Sequence, residues 1–192
     1  MRLFVAVVPP PEALGHLGAA VTEARAREAA VLGAEALRWS RRDTWHLTLA
    51  FLGEVADRLV PELERRLRRA AARHPAADVA LTGAGRFDGR VLWIGFSGEV
   101  AGLKRLATSV QAASRRAGAD VDERPLRPHI TLARARDPLD LRPAVAALAG
   151  YAGPPWTAHE IVLVRSRLGA GPGRTALHEE VGRHPLAGDR RS

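Results

Sequence analysis

Apolar positions along the chain fall into two kinds of run, and together they lay out the elements. Leu3 to Val8 is an unbroken apolar run, the mark of a strand buried on both faces, and Pro9-Pro10-Pro11 ends it. Leu14, Leu17, Val21 and Ala24 then recur at helical spacing and predict a helix from about Pro11 to Ala30. Ala36 to Ser40 and Trp45 to Leu52 are predicted strands. Asp57 is the expected cap of a second helix with Val60, Leu63, Leu67 and Ala70 as its buried stripe, stopped by His74-Pro75. Asp78 to Thr82 and Val91 to Phe96 read as strands joined through the turn Phe87-Asp88-Gly89-Arg90. Leu103, Leu106, Val110 and Ala113 predict a third helix closed by Gly118. A short strand near Ala119 to Asp122, a strand at His129 to Leu132, a helix over Asp140 to Ala149, and strands at Ile161 to Arg165 and Thr175 to Val181 complete the pattern. Gly169 to Gly173 is a glycine-rich turn between the last two strands.

This order is one strand followed by two passes of helix, strand, strand, helix, strand, strand. His46 and His129 occupy the same strand of each pass, 83 residues apart, as are Asp57 and Asp140, and Val91 and Arg174. The pattern predicts an α+β fold of two pseudo-twofold-related lobes, each an antiparallel sheet with helices on its outer face and a groove between them. Residues 1–183 are expected to form this single bilobal domain, and the polar tail 184–192 to fray.

The repeat places unusual chemistry in buried strands. Side chains alternate across a strand, so His46 and Thr48 share one face while Leu47 and Leu49 take the other. His129 and Thr131 repeat the arrangement against Ile130 and Leu132. Two facing copies line a groove with two imidazoles and two hydroxyls. A neutral imidazole accepts a proton from water and an imidazolium donates one to a leaving alkoxide, while hydroxyls hold phosphate oxygens. In a regular strand Phe51 and Arg134, each five residues after its histidine, face away from the groove; a bulge would bring them in.

Composition narrows the options. The 192 residues suit one domain with a sizeable core. Cysteine is absent, which excludes disulfides, thiolate metal sites and cysteine nucleophiles, and fits a cytoplasmic location. The opening apolar run is too short for a membrane span. The net charge of +8 favours an anionic partner, and Lys104 is the only lysine. The arginines at 65, 66, 68 and 69 extend an RNA-binding surface or are the wet face of the second helix. No metal-binding spacing occurs, so no metal and no cofactor are expected. His16, His74 and His184 read as solvated, while His159 and His178 lie near late strands that border the groove.

The blocks R-L-F-V-A-V, H-L-T-L-A-F-L-G-E-V, G-R-F-D-G-R-V-L-W-I-G-F, R-P-H-I-T-L-A-R and E-I-V-L-V-R-S-R-L resemble the two-histidine (2H) phosphoesterase superfamily, and most of all its RNA 2′,3′-cyclic phosphodiesterases, also called 2′-5′ RNA ligases. The resemblance implies metal-independent hydrolysis of an RNA 2′,3′-cyclic phosphate end to a 2′-phosphomonoester. It implies His46 as proton donor, His129 as proton acceptor, and Thr48, Thr131 and Arg134 as phosphate-binding groups. Phe51 and Ser166 are further candidates for substrate contact, beside Arg167. A tyrosine common in such proteins after the glycine-rich turn is missing, its neighbourhood here reading R-T-A-L-H-E with Leu177. Other readings stay open: another cyclic phosphate or 2′-5′-linked substrate, 2′-5′ RNA ligation, or an RNA-binding module without catalysis. The expected partner is RNA or a related nucleotide, with no membrane association and a monomeric state.

Overall fold

The computed structural model describes residues 1–33, 35–122, 124–171 and 175–188. Among these residues, two antiparallel sheets are built on nine strands. The first has the order β3-β1-β8-β9, formed by β1 (Arg2–Val7), β3 (Leu47–Glu54), β8 (Glu160–Arg167) and β9 (Leu177–Pro185). The second has the order β2-β6-β5-β4-β7, formed by β2 (Leu37–Trp39), β6 (His129–Ala135), β5 (Val91–Gly98), β4 (Ala77–Phe87) and β7 (Trp156–Ala158). The helices are α1 (Pro11–Leu32), α2 (Val60–Ala71), α3 (Val100–Arg116) and α4 (Arg142–Leu148).

Helices α1 and α3 cross to the other sheet, whereas α2 and α4 cover the sheet of the strand they follow. Leu63 and Leu67 of α2 and Leu103, Leu106 and Val110 of α3 pack with Leu3, Leu47, Leu49 and Leu163 on the first sheet. Leu17 and Val21 of α1 and Ala144 and Leu148 of α4 cover Leu81, Leu92, Ile94 and Ile130 on the second. The opposite faces of the two sheets are thereby left to each other, and they meet where β3 approaches β6.

The internal repeat is broken in the order of the strands. β5 returns from β4 toward β6, but β9 returns from β8 to the outer edge, and β1 takes the inner position. Burial explains the choice. All of Leu3 to Val7 is buried, as a central strand requires, whereas β9 carries half-exposed and charged residues suited to an edge. The hairpin turn at 87–90 has Asp88 at φ 49° and Gly89 at φ 63°, the left-handed pair that matches strand twist.

Several expectations are corrected. Asp57 does not cap α2: it lies in a one-turn 3-10 helix (Asp57–Leu59) with its carboxylate 3.8 Å from the N-terminal ammonium. Asp140 does accept the Arg142 backbone N–H, at 3.0 Å. Residues 119–122 form no strand, because Val121 is drawn into the core and the Asp122 side chain turns the chain by accepting the Arg124 N–H. The tail is not frayed from His184 onward. His184 and Leu186 are buried, and Ala187 exchanges backbone hydrogen bonds with the His74 carbonyl and Ala76 N–H. His74, expected in solvent, is half-buried, with Nε2 2.8 Å from Ser109 Oγ. Residues 172–174, including Arg174 and the last two residues of the glycine-rich turn, and the tail beyond residue 188 lie outside the described residues.

Candidate active site

His46 stands one residue before β3, after a one-turn 3-10 helix (Arg42–Thr44) and the buried Trp45. His129 opens β6. Each ring is held in the same way. His46 Nδ1 lies 2.7 Å from the Thr44 carbonyl, and His129 Nδ1 lies 2.6 Å from the Arg127 carbonyl, both two residues back in the chain. A carbonyl only accepts, so Nδ1 carries the hydrogen and donates it. That leaves Nε2 of each neutral ring with its lone pair free.

Aromatic rings fix both imidazoles from the side. Phe4 stacks on His46 at 4.6 Å between centroids and 23° between planes. Phe87 meets His129 edge-on at 5.0 Å, with Trp93 behind it. Trp93 in turn lies over Gly85, where a Cβ would stand 2.1 Å from its ring. The packing lowers both proton affinities. His46 is pushed down to about 4, chiefly by burial and then by the charge of His178, against the pull of the Thr44 carbonyl. His129 is lowered by burial and, more weakly, by the Arg134 charge, with the Arg127 carbonyl opposing.

The repeated strand carries the same irregularity in both halves. Ala50 opposes Val5 and Thr48 opposes Ala6, so Leu49 is an extra residue in β3. Ala133 opposes Leu92 and Thr131 opposes Trp93, so Leu132 is its counterpart in β6. Each bulge shows as two successive buried residues, Leu49-Ala50 and Leu132-Ala133, where alternation demands one. Phe51 therefore pairs with Phe4 on the side of His46 and Thr48, and is 56% exposed. Arg134 pairs with Val91 on the side of His129 and Thr131. Both residues face the groove, contrary to the regular-strand expectation, which for Phe51 meant the core. Arg134 has no ion pair among the described residues, whereas Arg41, Arg65, Arg124, Arg142 and Arg183 all do.

The sequence profile of the 2′-5′ RNA ligase superfamily matches residues 5–170, most of the chain. The chain belongs to this superfamily. It is 32% identical over 160 residues to an RNA 2′,3′-cyclic phosphodiesterase of Geobacillus stearothermophilus, an alignment covering 78% of this chain and 48% of that relative, so it spans about half of the relative's length. The fold is that of Escherichia coli LigT in apo form, with TM-score 0.74, 28% identity and 97% of each chain covered. LigT complexed with 3′-AMP superposes with TM-score 0.70 at 29% identity, over 96% of this chain and 97% of that one.

Among 2′-5′ RNA ligase superfamily features anticipated from sequence, Ser166 is half-buried and pairs with His178 across β8 and β9. Arg167 is spent on an ion pair with Glu179 at 3.1 Å, and Leu177 pairs with Arg167. Arg65 and Arg66 bond to Glu62 on their own helix. His159 is exposed. His178 is the residue the sequence undersold. Its ring stands 5.3 Å from His46 and 5.1 Å from Phe4, edge-on to both. The signal was present in its position on the final strand, but without the β9 register nothing separated it from His159.

Proposed function

We propose that the protein hydrolyses RNA 2′,3′-cyclic phosphate ends to 2′-phosphomonoesters without a metal ion, with His46 as proton donor and His129 as acceptor. The observation that carries this reading is the matched pair of carbonyl-anchored imidazoles, each with Nε2 free and each beside a threonine of the same face. A cyclic phosphate between them would rest its non-bridging oxygens on the Thr48 and Thr131 hydroxyls and on Arg134, groups fixed before substrate arrives. His129 Nε2 takes a proton from water as the water oxygen forms its bond to phosphorus. The bond from phosphorus to the 3′-oxygen breaks on the opposite side, and that oxygen takes the proton from His46 Nε2. Proton exchange with solvent then resets the two rings. Each transfer contributes about 10²–10⁴-fold.

The depressed affinity of His46 fits this scheme once the substrate's charge is included. An anionic phosphate beside the ring favours its protonated form, so substrate binding draws the proton that is then donated. A groove built within one chain suits a monomer. The test is a short RNA ending in a 2′,3′-cyclic phosphate, incubated in excess EDTA and followed by phosphorus NMR. Conversion to the 2′-phosphate is expected, and loss of turnover in His46→Ala and His129→Ala with the fold retained. Full activity in either variant, or no conversion by the wild type, would overturn the reading.

A further inference from the structure

The two strands that follow the histidines are bulged at equivalent residues, Leu49 and Leu132, which stand 83 apart like the histidines themselves. A bulge takes its extra residue out of register with the partner strand, and the backbone groups there need another partner. The two lobes supply it differently. β6 is an inner strand, flanked by β5 and β2, and the Leu132 carbonyl accepts the Ser40 backbone N–H at 2.7 Å, just past the end of β2. β3 is an edge strand with β1 on one side only. The repeat would put residues 120–122 on its other side, 83 after β2, but these form no strand and Val121 is drawn into the core. The partner comes instead from α3. Gln111, half-buried beside the core residue Val110, lies with Nε2 3.2 Å from the Leu49 carbonyl. A carbonyl only accepts, so the amide of Gln111 donates.

We infer that Gln111 is a positioning residue for the groove: by holding the Leu49 carbonyl it does for β3 what β2 does for β6, and it keeps Thr48 and Phe51 on the side of His46. The bulge is what puts both of them there. Thr48 precedes the extra residue and pairs with Ala6, while Phe51 follows it and pairs with Phe4. Were Leu49 to return to plain alternation, every side chain beyond it would change face, and Phe51 would turn toward the helices. Gln111 acts from outside the groove, on the helix that covers the opposite face of the sheet. In the second lobe the same part falls to a backbone N–H, so loss of the Gln111 donor disturbs one histidine strand and not the other. The effect on turnover rests on the proposed function, in which Thr48 holds a non-bridging oxygen. The effect on the strand does not.

The experiment compares Gln111→Met, which keeps the length of the side chain and removes the donor, with Gln111→Lys, which keeps a donor. Gln111→Met is expected to lower kcat/KM on adenosine 2′,3′-cyclic phosphate about fivefold, the worth of one neutral hydrogen bond, and to weaken inorganic phosphate binding in calorimetry by a similar factor. Its NMR shift changes are expected on residues 46–51 and not on 129–134. Gln111→Lys is expected to restore both activity and phosphate affinity. Equal losses in the two variants, shift changes spread over both histidine strands, or a Gln111→Met protein with wild-type activity and phosphate affinity overturn the inference. A wild type inert toward the cyclic phosphate overturns the proposed function alone, and the shifts of Thr48 and Phe51 in Gln111→Met then decide the role of Gln111.

Discussion

Replacing His46 by Gln should remove a pH dependence of stability whose size follows from the structure. In the unfolded chain the imidazole titrates near its ordinary 6.5, and in the fold it is pushed down to about 4 by burial and by His178. The depressed value means that the unfolded state binds more protons between those two limits. Stability from this site is therefore full above pH 6.5 and is lost as pH falls toward and through 4. A gap of this size corresponds to about 3 kcal/mol between neutral pH and about pH 4, with roughly half lost by about pH 5.5. Carboxylates such as Asp43 and Asp140 also titrate toward acid, so the measure is the difference between wild type and His46→Gln. Urea unfolding at about pH 7, 5.5 and 4 provides it. His46→Gln should gain about 3 kcal/mol relative to wild type on acidification across that window. A difference that stays constant with pH, or a His46 NMR titration midpoint near 6.5, would refute the reasoning.

The surroundings of the two rings yield further tests. His178→Gln should raise the His46 titration midpoint in an NMR pH series, because a like charge 5.3 Å away is removed; an unchanged or lower midpoint contradicts the coupling. Arg134→Ala should raise the His129 midpoint and weaken inorganic phosphate binding measured by calorimetry, since a cation leaves the groove; unchanged phosphate affinity counts against its role. Gly85→Ala forces the Trp93 ring off its seat. Overpacking of this kind costs about 1–3 kcal/mol in urea unfolding and should disturb His129 resonances before those of His46. Leu106→Ala, in the core between α3 and the first sheet, should cost about 2–5 kcal/mol while leaving kcat on a cyclic phosphate unchanged.

Much of this geometry was legible in the chain, for reasons that also mark where reading stops. Alternation alone put His46 with Thr48 and His129 with Thr131, because a period of two needs no partner strand to define a face. The 87–90 hairpin was legible because Asp-Gly is a local backbone preference. Alternation alone turns Phe51 and Arg134 away from the groove and a bulge was needed to bring them in; a bulge depends on the neighbouring strand, and only the register of β3 with β1 and of β6 with β5 reveals Leu49 and Leu132 as extra residues. The place of β1 was equally hidden: its apolar run announces a central strand but not which sheet surrounds it. The tail at His184 looked polar residue by residue, while its anchor is backbone hydrogen bonding between Ala187 and the 74–76 segment, which no side-chain pattern records.

The inner position of β1 also dictates when the groove can exist. The second sheet is made from residues 37 to 158, so all of its strands are available once that stretch has been synthesised. The first sheet needs Leu3 to Ala6 laid against Val162 to Arg165, a pairing that closes nearly the whole chain. Such a long-range pairing forms late and slowly, because its loop must be closed before its contacts repay the cost. Phe4, the ring that steadies His46, sits in that last-closing strand with Val164 opposite it. A nascent chain thus carries its second histidine on a formed sheet while the first still lacks its finished support, and the pair becomes a working unit only as the C-terminal hairpin arrives.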